Sequence, residues 1–193
     1  MKVIKTNIDG LAIIQPDIFY DERGYFFETF NERKYRDAGI NAIFVQDNES
    51  KSKRNTIRGL HYQVGKYAQG KLVRVIFGKI LDVAVDIRFG SHTFGKYYSV
   101  ELSSENKWQF WIPAGFAHGF SVLSDIAIVA YKCTTFYSRK DERGIIYNDP
   151  DLSIDWKVEV PIISEKDLKN TLFKNIDRDF LYQKGEDYND TSL

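Results

Sequence analysis

A run of alternating residues near the middle of the chain constrains the fold more than any other feature. Between residues 80 and 88, one face of an extended strand carries Leu81, Val83, Val85 and Ile87, and the other carries Asp82, Ala84, Asp86 and Arg88. Residues 71–77 form a second apolar stretch, and Gly78 and Lys79 between the two predict a hairpin. This period of two predicts that the chain folds around a β-sheet.

Other short stretches rich in β-branched and aromatic residues extend this pattern along the chain. The further predicted strands are residues 11–14, 25–30, 43–46, 56–63, 96–102, 108–112, 119–123 and 126–135. Turn residues separate them at short intervals, which favours a sandwich or barrel over βαβ units. The sequence therefore predicts an all-β barrel with minor flanking helices.

One α-helix is predicted early in the chain, over residues 32 to about 38. Asn31 is a good N-cap and Gly39 suits the position after the C-cap. Phe30 and Tyr35 have the spacing of a hydrophobic staple. These signals agree on where the helix begins and ends.

A second helix is predicted to begin after Ser164. Ser164 and Asp167 match the acidic variant of a capping box. Leu168, Leu172 and Phe173 give the predicted helix an apolar side. The capping role alone is enough to explain Asp167 without any chemistry.

Length and composition narrow the class of protein. The 193 residues fit one domain, predicted over residues 1–176, with a polar and loosely held tail over residues 177–193. Lys plus Arg and Asp plus Glu number 27 each, so no overall field favours nucleic acid or an anionic membrane. The longest apolar runs are too short to span a bilayer, and no signal peptide is visible. The single cysteine, Cys133, excludes an intramolecular disulfide, and a reduced, cytoplasmic protein is expected.

The chain has only three histidines, and each is a candidate for proton transfer near neutral pH. His61 lies on a predicted strand, on the face of Ile57 and Gln63; Arg58, Leu60 and Tyr62 fall on the other face. A half-buried structural histidine explains His61 as well as a catalytic one does. His118 lies between glycines and a proline, where it either meets a ligand or holds a turn, and His92 is a turn residue.

For several other polar residues, a structural and a functional interpretation are likewise both open. Lys71, at the start of a strand, either shares a barrel mouth with His61 or is a solvated edge charge. Tyr131 ends an apolar strand face, so its hydroxyl needs a partner and is also a candidate proton donor. Arg23, Arg58 and Lys166 are candidates for contacting a diphosphate, although each is individually typical of a surface charge.

A metal site is poorly supported. The metal-binding cupin pattern requires His-x-His followed by a glutamate and a later histidine, but Tyr62 and Gln63 follow His61. Three well-separated histidines and one cysteine do not make a zinc or iron site. We therefore expect no metal and no other cofactor.

Eight segments, taken in order, resemble the dTDP-4-dehydrorhamnose 3,5-epimerase family. They are residues 19–28, 46–48, 58–63 (RGLHYQ), 69–74, 82–88, 111–120 (WIPAGFAHGF), 131–132 and 144–150. The match runs from about residue 3 to 173 without a gap, so it is specific for the family and less specific for the exact sugar nucleotide.

The resemblance implies a metal-free cupin-type jelly-roll barrel that acts as a homodimer in deoxysugar synthesis. The implied reaction is inversion of C3 and C5 of dTDP-4-dehydro-6-deoxy-D-glucose to give dTDP-4-dehydro-L-rhamnose, through an enolate. By resemblance, His61 is the base, Asp167 orients it, Tyr131 is the opposing acid and Lys71 stabilises the oxyanion. The implied substrate-binding residues are Arg23, Glu28, Gln46, Asn48, Arg58, His118, Glu142 and Lys166.

Two consequences of the resemblance need a structural explanation. The segment bearing Arg23 and Glu28 is expected to reach the site of a neighbouring subunit. Regular strand alternation puts Arg58 and His61 on opposite faces, so both serve one site only if Gly59 marks a bulge or Arg58 reaches around.

Two alternatives stay open at the level of sequence. One is a related sugar-nucleotide epimerase or ketoisomerase that acts at one carbon or on a GDP- or CDP-linked 4-keto sugar. The other is a non-catalytic sugar-nucleotide binder on the same barrel. The presence of both His61 and Tyr131 favours the double epimerase over the first alternative. A non-catalytic binder would be expected to lack one of the four proton-transfer residues, and all four are present.

Overall fold

A computed structural model describes residues 1–182, and over this range the regular secondary structure consists mostly of short antiparallel strands. The strands are β1 (Lys2–Lys5), β2 (Ala12–Gln15), β3 (Phe19–Asp21), β4 (Gly24–Phe26), β5 (Gln46–Lys53), β6 (Ile57–Gln63), β7 (Lys71–Phe77), β8 (Lys79–Asp86), β9 (Tyr97–Ser103), β10 (Gln109–Ile112), β11 (Phe116–Val122), β12 (Ile126–Cys133) and β13 (Glu142–Gly144). One α-helix, α1 (Glu32–Asp37), and single 3-10 turns at Gly65–Tyr67, Asp167–Lys169 and Phe173–Asn175 complete the described elements. None of these helices is long and apolar enough to cross a membrane.

Two sheets pack face to face. The larger has the strand order β1-β2-β10-β7-β12-β5, and the smaller has the order β13-β6-β11-β8-β9. Strands β3 and β4 form a separate hairpin. The prediction of an all-β jelly-roll barrel with minor helices is confirmed.

The main core lies between the sheets and consists of every second residue of the facing strands. Val73 and Val129 from the larger sheet meet Phe120 from the smaller one, all at most 4% exposed. Burying a side chain of this kind contributes about 1.5–3 kcal/mol. Outer cores cover both sheets: α1 packs Tyr35 on the larger, and residues 152–180 cover the smaller with Trp156 and others.

The elements with the strongest local signals are where the sequence predicts them. The hairpin of β7 and β8 turns at Gly78, whose φ is +81°. Helix α1 begins after Asn31, whose side chain accepts a hydrogen bond from the backbone N–H of Lys34. The Phe30 and Tyr35 rings lie 5.0 Å apart, as expected for the staple.

Three predicted segments differ in the structure. Residues 43–46 are not a strand, since Phe44 packs edge-on against Trp111 and β5 begins only at Gln46. The strand predicted over residues 25–30 is shorter, because only β4 pairs with β3. The predicted helix after Ser164 is a single 3-10 turn, since the chain becomes extended at Asn170 and Thr171 bridges to Ile145.

The start of the predicted tail is packed on the domain. Phe180 is 5% exposed in the outer core, and the backbone of Tyr182 donates a hydrogen bond to Phe89. The expectation of a loosely held segment is therefore wrong for residues 177–182, because Phe180 supplies apolar surface that the core covers. Residues 183–193 lie outside the described part of the chain, and the domain boundary at residue 176 stays a prediction.

Candidate active site

A cavity of about 500 Å³ opens between the two sheets at one end of the barrel. Its lining brings together residues from both sheets and from the turn at Asp167–Lys169: Ser50, Arg58, His61, Lys71, His118, Phe120, Tyr131, Lys166 and Asp167 among them. Seven of the residues singled out from the sequence as catalytic or substrate-binding are therefore neighbours in space, Arg58 and Lys166 included.

A bulge in β6 places Arg58 and His61 on the same side of the sheet. His61 pairs with His118 across β11, but Arg58 pairs with Phe120, so Gly59 and Leu60 stand opposite the single residue Gly119. A Cβ on Gly59 would lie 2.6 Å from the Cα of Gly119, and the φ of Gly59 is +120°, so only glycine suits this crossing.

Because of the bulge, the side chains of β6 do not show the regular alternation between the two faces of the sheet that the sequence predicts. Ile57, Leu60 and Tyr62 pack together in the outer core, whereas Arg58 and His61 line the cavity. The expectation that Ile57 shares a face with His61 is wrong, whereas the bulge at Gly59, which lets Arg58 and His61 serve one site, is present.

His61 is held by a carboxylate. Its Nε2 lies 2.6 Å from Oδ1 of Asp167, while Oδ2 of Asp167 accepts a hydrogen bond of 3.4 Å from the backbone N–H of Gly59. The Ser164 hydroxyl accepts from the backbone of Asp167, so half of the predicted capping box forms, but the carboxylate turns to His61. Burial opposes ionisation of Asp167, yet these hydrogen bonds outweigh it and hold its pKa below the ordinary value.

His118 is held in the same way. It lies within β11, not in a turn, and its Nε2 is 2.7 Å from Oδ1 of Asp82. Asp82 is fully buried and His118 is 7% exposed. Burial lowers the pKa of His118 despite the opposing charge of Asp82, so the imidazole is neutral at neutral pH.

Lys71 and Tyr131 face these histidines from the larger sheet. They lie diagonally across the paired strands β7 and β12, where Lys71 is opposite Cys133, and the Lys71 Nζ is 6.0 Å from the centre of the Tyr131 ring. In the part of the chain that the structure describes, neither Nζ of Lys71 nor the Tyr131 hydroxyl has a hydrogen-bond or ion-pair partner. Burial lowers the pKa of Lys71 and raises that of Tyr131, so the phenol stays protonated at neutral pH.

A polar edge strand that the sequence analysis missed forms one side of the cavity. Strand β5 has no hydrophobic residue, so hydrophobic periodicity does not find it. It has another alternation: Gln46, Asn48, Ser50 and Ser52 are neutral, and Asp47, Glu49, Lys51 and Lys53 are charged. The neutral set shares the face of Tyr131, and the Ser52 hydroxyl accepts a 2.9 Å hydrogen bond from Nε of Arg58.

Charged and aromatic residues surround the mouth. Glu142 on β13 pairs with Lys166 and accepts a 2.8 Å hydrogen bond from the Tyr137 hydroxyl. The hydrogen bonds to Lys166 and Tyr137 keep the pKa of Glu142 below its ordinary value, although burial opposes them. Gln46, Asn48 and Glu142 line a smaller recess continuous with His61 and Lys71.

Two predicted binding residues do not reach this cavity. The Arg23 side chain is 85% exposed at the tip of the β3–β4 hairpin, paired with Asp21. Glu28 is paired with Lys34 near α1. In a single chain, both therefore lie apart from His61 and Tyr131.

Within residues 1–182, no three His, Cys, Asp or Glu side chains converge as metal ligands would. The two histidines of the cavity each direct Nε2 at a carboxylate.

Comparisons with known proteins agree with the geometry. The family described as dTDP-4-dehydrorhamnose 3,5-epimerase matches residues 5–175. A dTDP-4-dehydrorhamnose 3,5-epimerase of Shigella flexneri is 53% identical over 178 residues, which cover 92% of this chain and 98% of the relative. One from Methanothermobacter thermautotrophicus is 55% identical over 169 residues, covering 86% and 91%.

Among solved structures, a dTDP-6-deoxy-D-glucose-3,5-epimerase of Legionella pneumophila in complex with dTDP-4-keto-L-rhamnose is similar with a TM-score of 0.91 and 51% identity. The match covers 94% of this chain and 98% of that one. A dTDP-4-dehydrorhamnose 3,5-epimerase of Bacillus anthracis with TDP and PPi bound has a TM-score of 0.87 and 43% identity, covering 89% and 98%.

Proposed function

This chain belongs to the dTDP-4-dehydrorhamnose 3,5-epimerase family, and we propose that its inter-sheet cavity inverts C3 and C5 of dTDP-4-dehydro-6-deoxy-D-glucose with His61 and Tyr131 as base and acid. The enzyme is an isomerase. The observation that carries the proposed roles is the placement of a carboxylate-held histidine and an unpartnered phenol on opposite sheets of one cavity. Inversion of a carbon needs such groups on its two sides.

The base is the free nitrogen of His61. A neutral imidazole has one N–H and one lone pair, and Asp167 accepts from Nε2, which leaves the lone pair on Nδ1. Nδ1 takes the proton from the carbon beside the C4 ketone, and the electrons of the C–H bond move into the enolate. Asp167 then stabilises the imidazolium that forms.

Lys71 and Tyr131 complete the step from the other sheet. The ammonium of Lys71 has no carboxylate within ion-pair distance among residues 1–182, so its charge is available to the enolate oxygen. The Tyr131 hydroxyl delivers its proton to the opposite face of the carbon, which restores the ketone with inverted configuration. Solvent then reprotonates the phenolate and removes the proton from His61, so no proton is gained or lost.

The experiment that tests this function is solvent exchange. The purified protein is incubated with dTDP-4-dehydro-6-deoxyglucose in deuterated water, and label at C3 and C5 is followed by NMR, with His61→Asn as the negative control. Label at both carbons with inversion is expected. Label at one carbon would instead identify a single-position epimerase, and no label in the wild type would contradict catalysis altogether.

We propose that the enzyme is a homodimer in which the β3–β4 hairpin enters the partner's site. The hairpin exposes Phe19, Tyr20, Tyr25 and Phe26, each at least 54% exposed, which is a large apolar surface for a lone chain. This arrangement would also give Arg23 and Glu28 a substrate to bind, the diphosphate being suited to Arg23.

Subunit complementation tests the shared site. Arg23→Ala and His61→Asn variants, each inactive or weakly active alone, are mixed, dissociated and reassociated. If Arg23 acts across the interface, heterodimers contain one site with both residues intact and activity returns. If Arg23 acts within its own chain, every site keeps one defect and no activity returns.

We further propose that the enzyme works in the cytoplasm. Cys133 is a buried free thiol, and burial raises its pKa to about 11. Free cysteines are typical of reducing compartments. Cell fractionation with the native protein would place it in the cytoplasmic fraction, and recovery outside the cell would contradict this.

A further inference from the structure

A second histidine–carboxylate pair lies beside the proposed base, and the steps above do not use it. His118 is the direct cross-strand partner of His61, and its ring also lines the cavity. Asp82, which holds it at 2.7 Å, is on β8 behind His118 and does not line the cavity itself. Asp82 therefore reaches any ligand only through His118.

Asp82 differs from a buried carboxylate with a purely structural role on the same strand. Both oxygens of Asp86 are saturated, by the backbone and side chain of Arg88 and by the hydroxyls of Ser91 and Thr93. Asp82 has one bond, to His118, and its Oδ2 has no partner within residues 1–182. A fully buried carboxylate that makes so few hydrogen bonds is costly and needs an explanation.

The bond to Asp82 decides which nitrogen of His118 carries the proton. A carboxylate accepts hydrogen bonds only, so Nε2 must donate, and in the neutral ring Nδ1 then has a lone pair. Over the described residues, Nδ1 of His118 has no protein donor. The other charged or titratable groups facing the ring are Lys71 and His61.

We propose that Asp82 is a positioning residue that holds His118 with Nε2 protonated, so that Nδ1 accepts a hydrogen bond from a hydroxyl of the bound hexose. The inference rests on the proposed function, because it needs the hexose in this cavity. A lone pair cannot bind a diphosphate, whose oxygens are themselves acceptors, but it suits the hydroxyl groups that the 4-keto-6-deoxy sugar carries on C2 and C3. His118 thus selects the sugar end of the substrate.

The tautomer of His118 in the wild-type protein is the first test, and it needs no variant that risks unfolding. With only three histidines, ¹⁵N-labelled imidazole signals can be assigned by comparison with His61→Asn and His92→Asn. The expected result is a neutral ring protonated at Nε2. A wild-type ring protonated at Nδ1, or a doubly protonated ring at neutral pH, overturns the proposal.

Kinetics of Asp82→Asn are the second test. The amide can donate to Nε2, so the Nδ1–H tautomer should grow, and kcat/KM should fall about tenfold to a hundredfold, as when the partner of a ligand-contacting histidine is lost. Asp149→Asn is the control, because Asp149 is 2% exposed and binds only backbone N–H groups. A tautomer shift and kinetic loss as large in Asp149→Asn would overturn the proposal.

A double-variant cycle separates positioning from stability. If Asp82 acts through His118, adding Asp82→Asn to His118→Ala causes no further loss of kcat/KM; additive losses contradict the proposal. Asp82→Asn should still exchange C3 and C5 hydrogens at saturating substrate, because His61 is intact. Failure of the proposed function would appear separately, as exchange that survives in His61→Asn.

Discussion

On the cavity wall formed by the smaller sheet, both histidines are held by carboxylates, His61 at 2.6 Å and His118 at 2.7 Å. On the opposite wall, Lys71 and Tyr131 have no such partner among residues 1–182. We call these the histidine wall (His61, His118) and the lysine–tyrosine wall (Lys71, Tyr131). The polar groups of the two walls therefore differ in how many partners they have in the free protein.

The difference fits the roles proposed for the two walls. A histidine base works only if its proton is on the correct nitrogen, so a fixed carboxylate is useful even before substrate arrives. A cation and a proton donor work best when their interactions are still available to the reacting atoms. In the proposed mechanism, Lys71 and Tyr131, which have no hydrogen-bond or ion-pair partner among residues 1–182, therefore lie where the enolate and the inverted carbon would form.

The largest expected effect comes from removing His61, the proposed base on the histidine wall. His61→Asn should lower kcat by about a thousandfold, within the usual range for general base catalysis, and should stop solvent exchange at C3 and C5. His92→Asn, at an exposed turn, is the matched control and should retain full activity. Substantial exchange in His61→Asn would show that another group is the base.

On the lysine–tyrosine wall, Lys71→Met should lower kcat about a hundredfold to a thousandfold, by removing the charge beside the enolate. The same change should stabilise the fold by about 1–2 kcal/mol, because it removes a partly desolvated cation that has no ion-pair partner among residues 1–182. Chemical denaturation measures this effect, with Lys79→Met, at an exposed lysine, as control. A destabilised Lys71→Met protein would mean that the ammonium is satisfied in the folded state.

The pH dependence of that stability has a definite sign. Burial lowers the pKa of Lys71 in the folded chain, so the unfolded chain binds its proton more tightly. The free energy of unfolding of the wild type should therefore rise as the pH approaches 10.5, the ordinary pKa of lysine. The excess stability of Lys71→Met over the wild type should shrink over the same pH range.

Asp167→Asn should have a smaller effect, since it disturbs the histidine wall without removing the base. We expect kcat/KM to fall about tenfold to a hundredfold. Asp155→Asn, at an exposed turn, is the control. Unchanged kinetics in Asp167→Asn would show that His61 does not need its carboxylate.

Asp167 also predicts an acid-dependent loss of stability. Its pKa is lower in the folded chain than the ordinary value of 3.8, so its contribution is present above that value and is lost as the pH falls below it. The stability difference between wild type and Asp167→Asn should be constant near neutral pH and should close in acid. A difference that widens in acid would contradict the assigned shift.

The smallest effect is expected at the mouth, away from both walls. Lys166→Met should raise KM about threefold to tenfold, or about 1 kcal/mol of binding, with kcat nearly unchanged. Its side chain is 60% exposed, so stability should change little. Lys157→Met is the control, because Lys157 is 61% exposed and pairs with an exposed carboxylate, Asp155. A large fall in kcat would move Lys166 into the chemistry.

Sequence reasoning predicted the parts of the fold in which local signals and packing agree. The β7–β8 hairpin and helix α1 have turn, cap and apolar signals that match their burial. The prediction of a helix after Ser164 is wrong although its N-cap hydrogen bond forms. The chain leaves the helical conformation because Thr171 pairs with Ile145. Hydrophobic periodicity does not predict strand β5, because the face that it turns to the cavity is polar.

The sequence predicts which residues form the candidate site better than it predicts how they are arranged in space. His61, Lys71, Tyr131 and Asp167 were identified through the family resemblance, and the structure brings them together. The shared side of Arg58 and His61 depends on a bulge between Gly59 and Gly119, which regular alternation cannot supply. The role of Asp82 is not predictable from the sequence, because no local pattern around an aspartate in an apolar strand indicates its contact with His118 on β11.

The opposed walls are tested most directly by Tyr131→Phe, which removes only the proton donor. In deuterated water, His61 should still remove the hydrogens at C3 and C5 and return deuterium to the same face. NMR should therefore show label in the unreacted substrate with little or no inverted product. Inversion at the wild-type rate, or complete loss of exchange in a folded Tyr131→Phe protein, would contradict a base and an acid acting from opposite sheets.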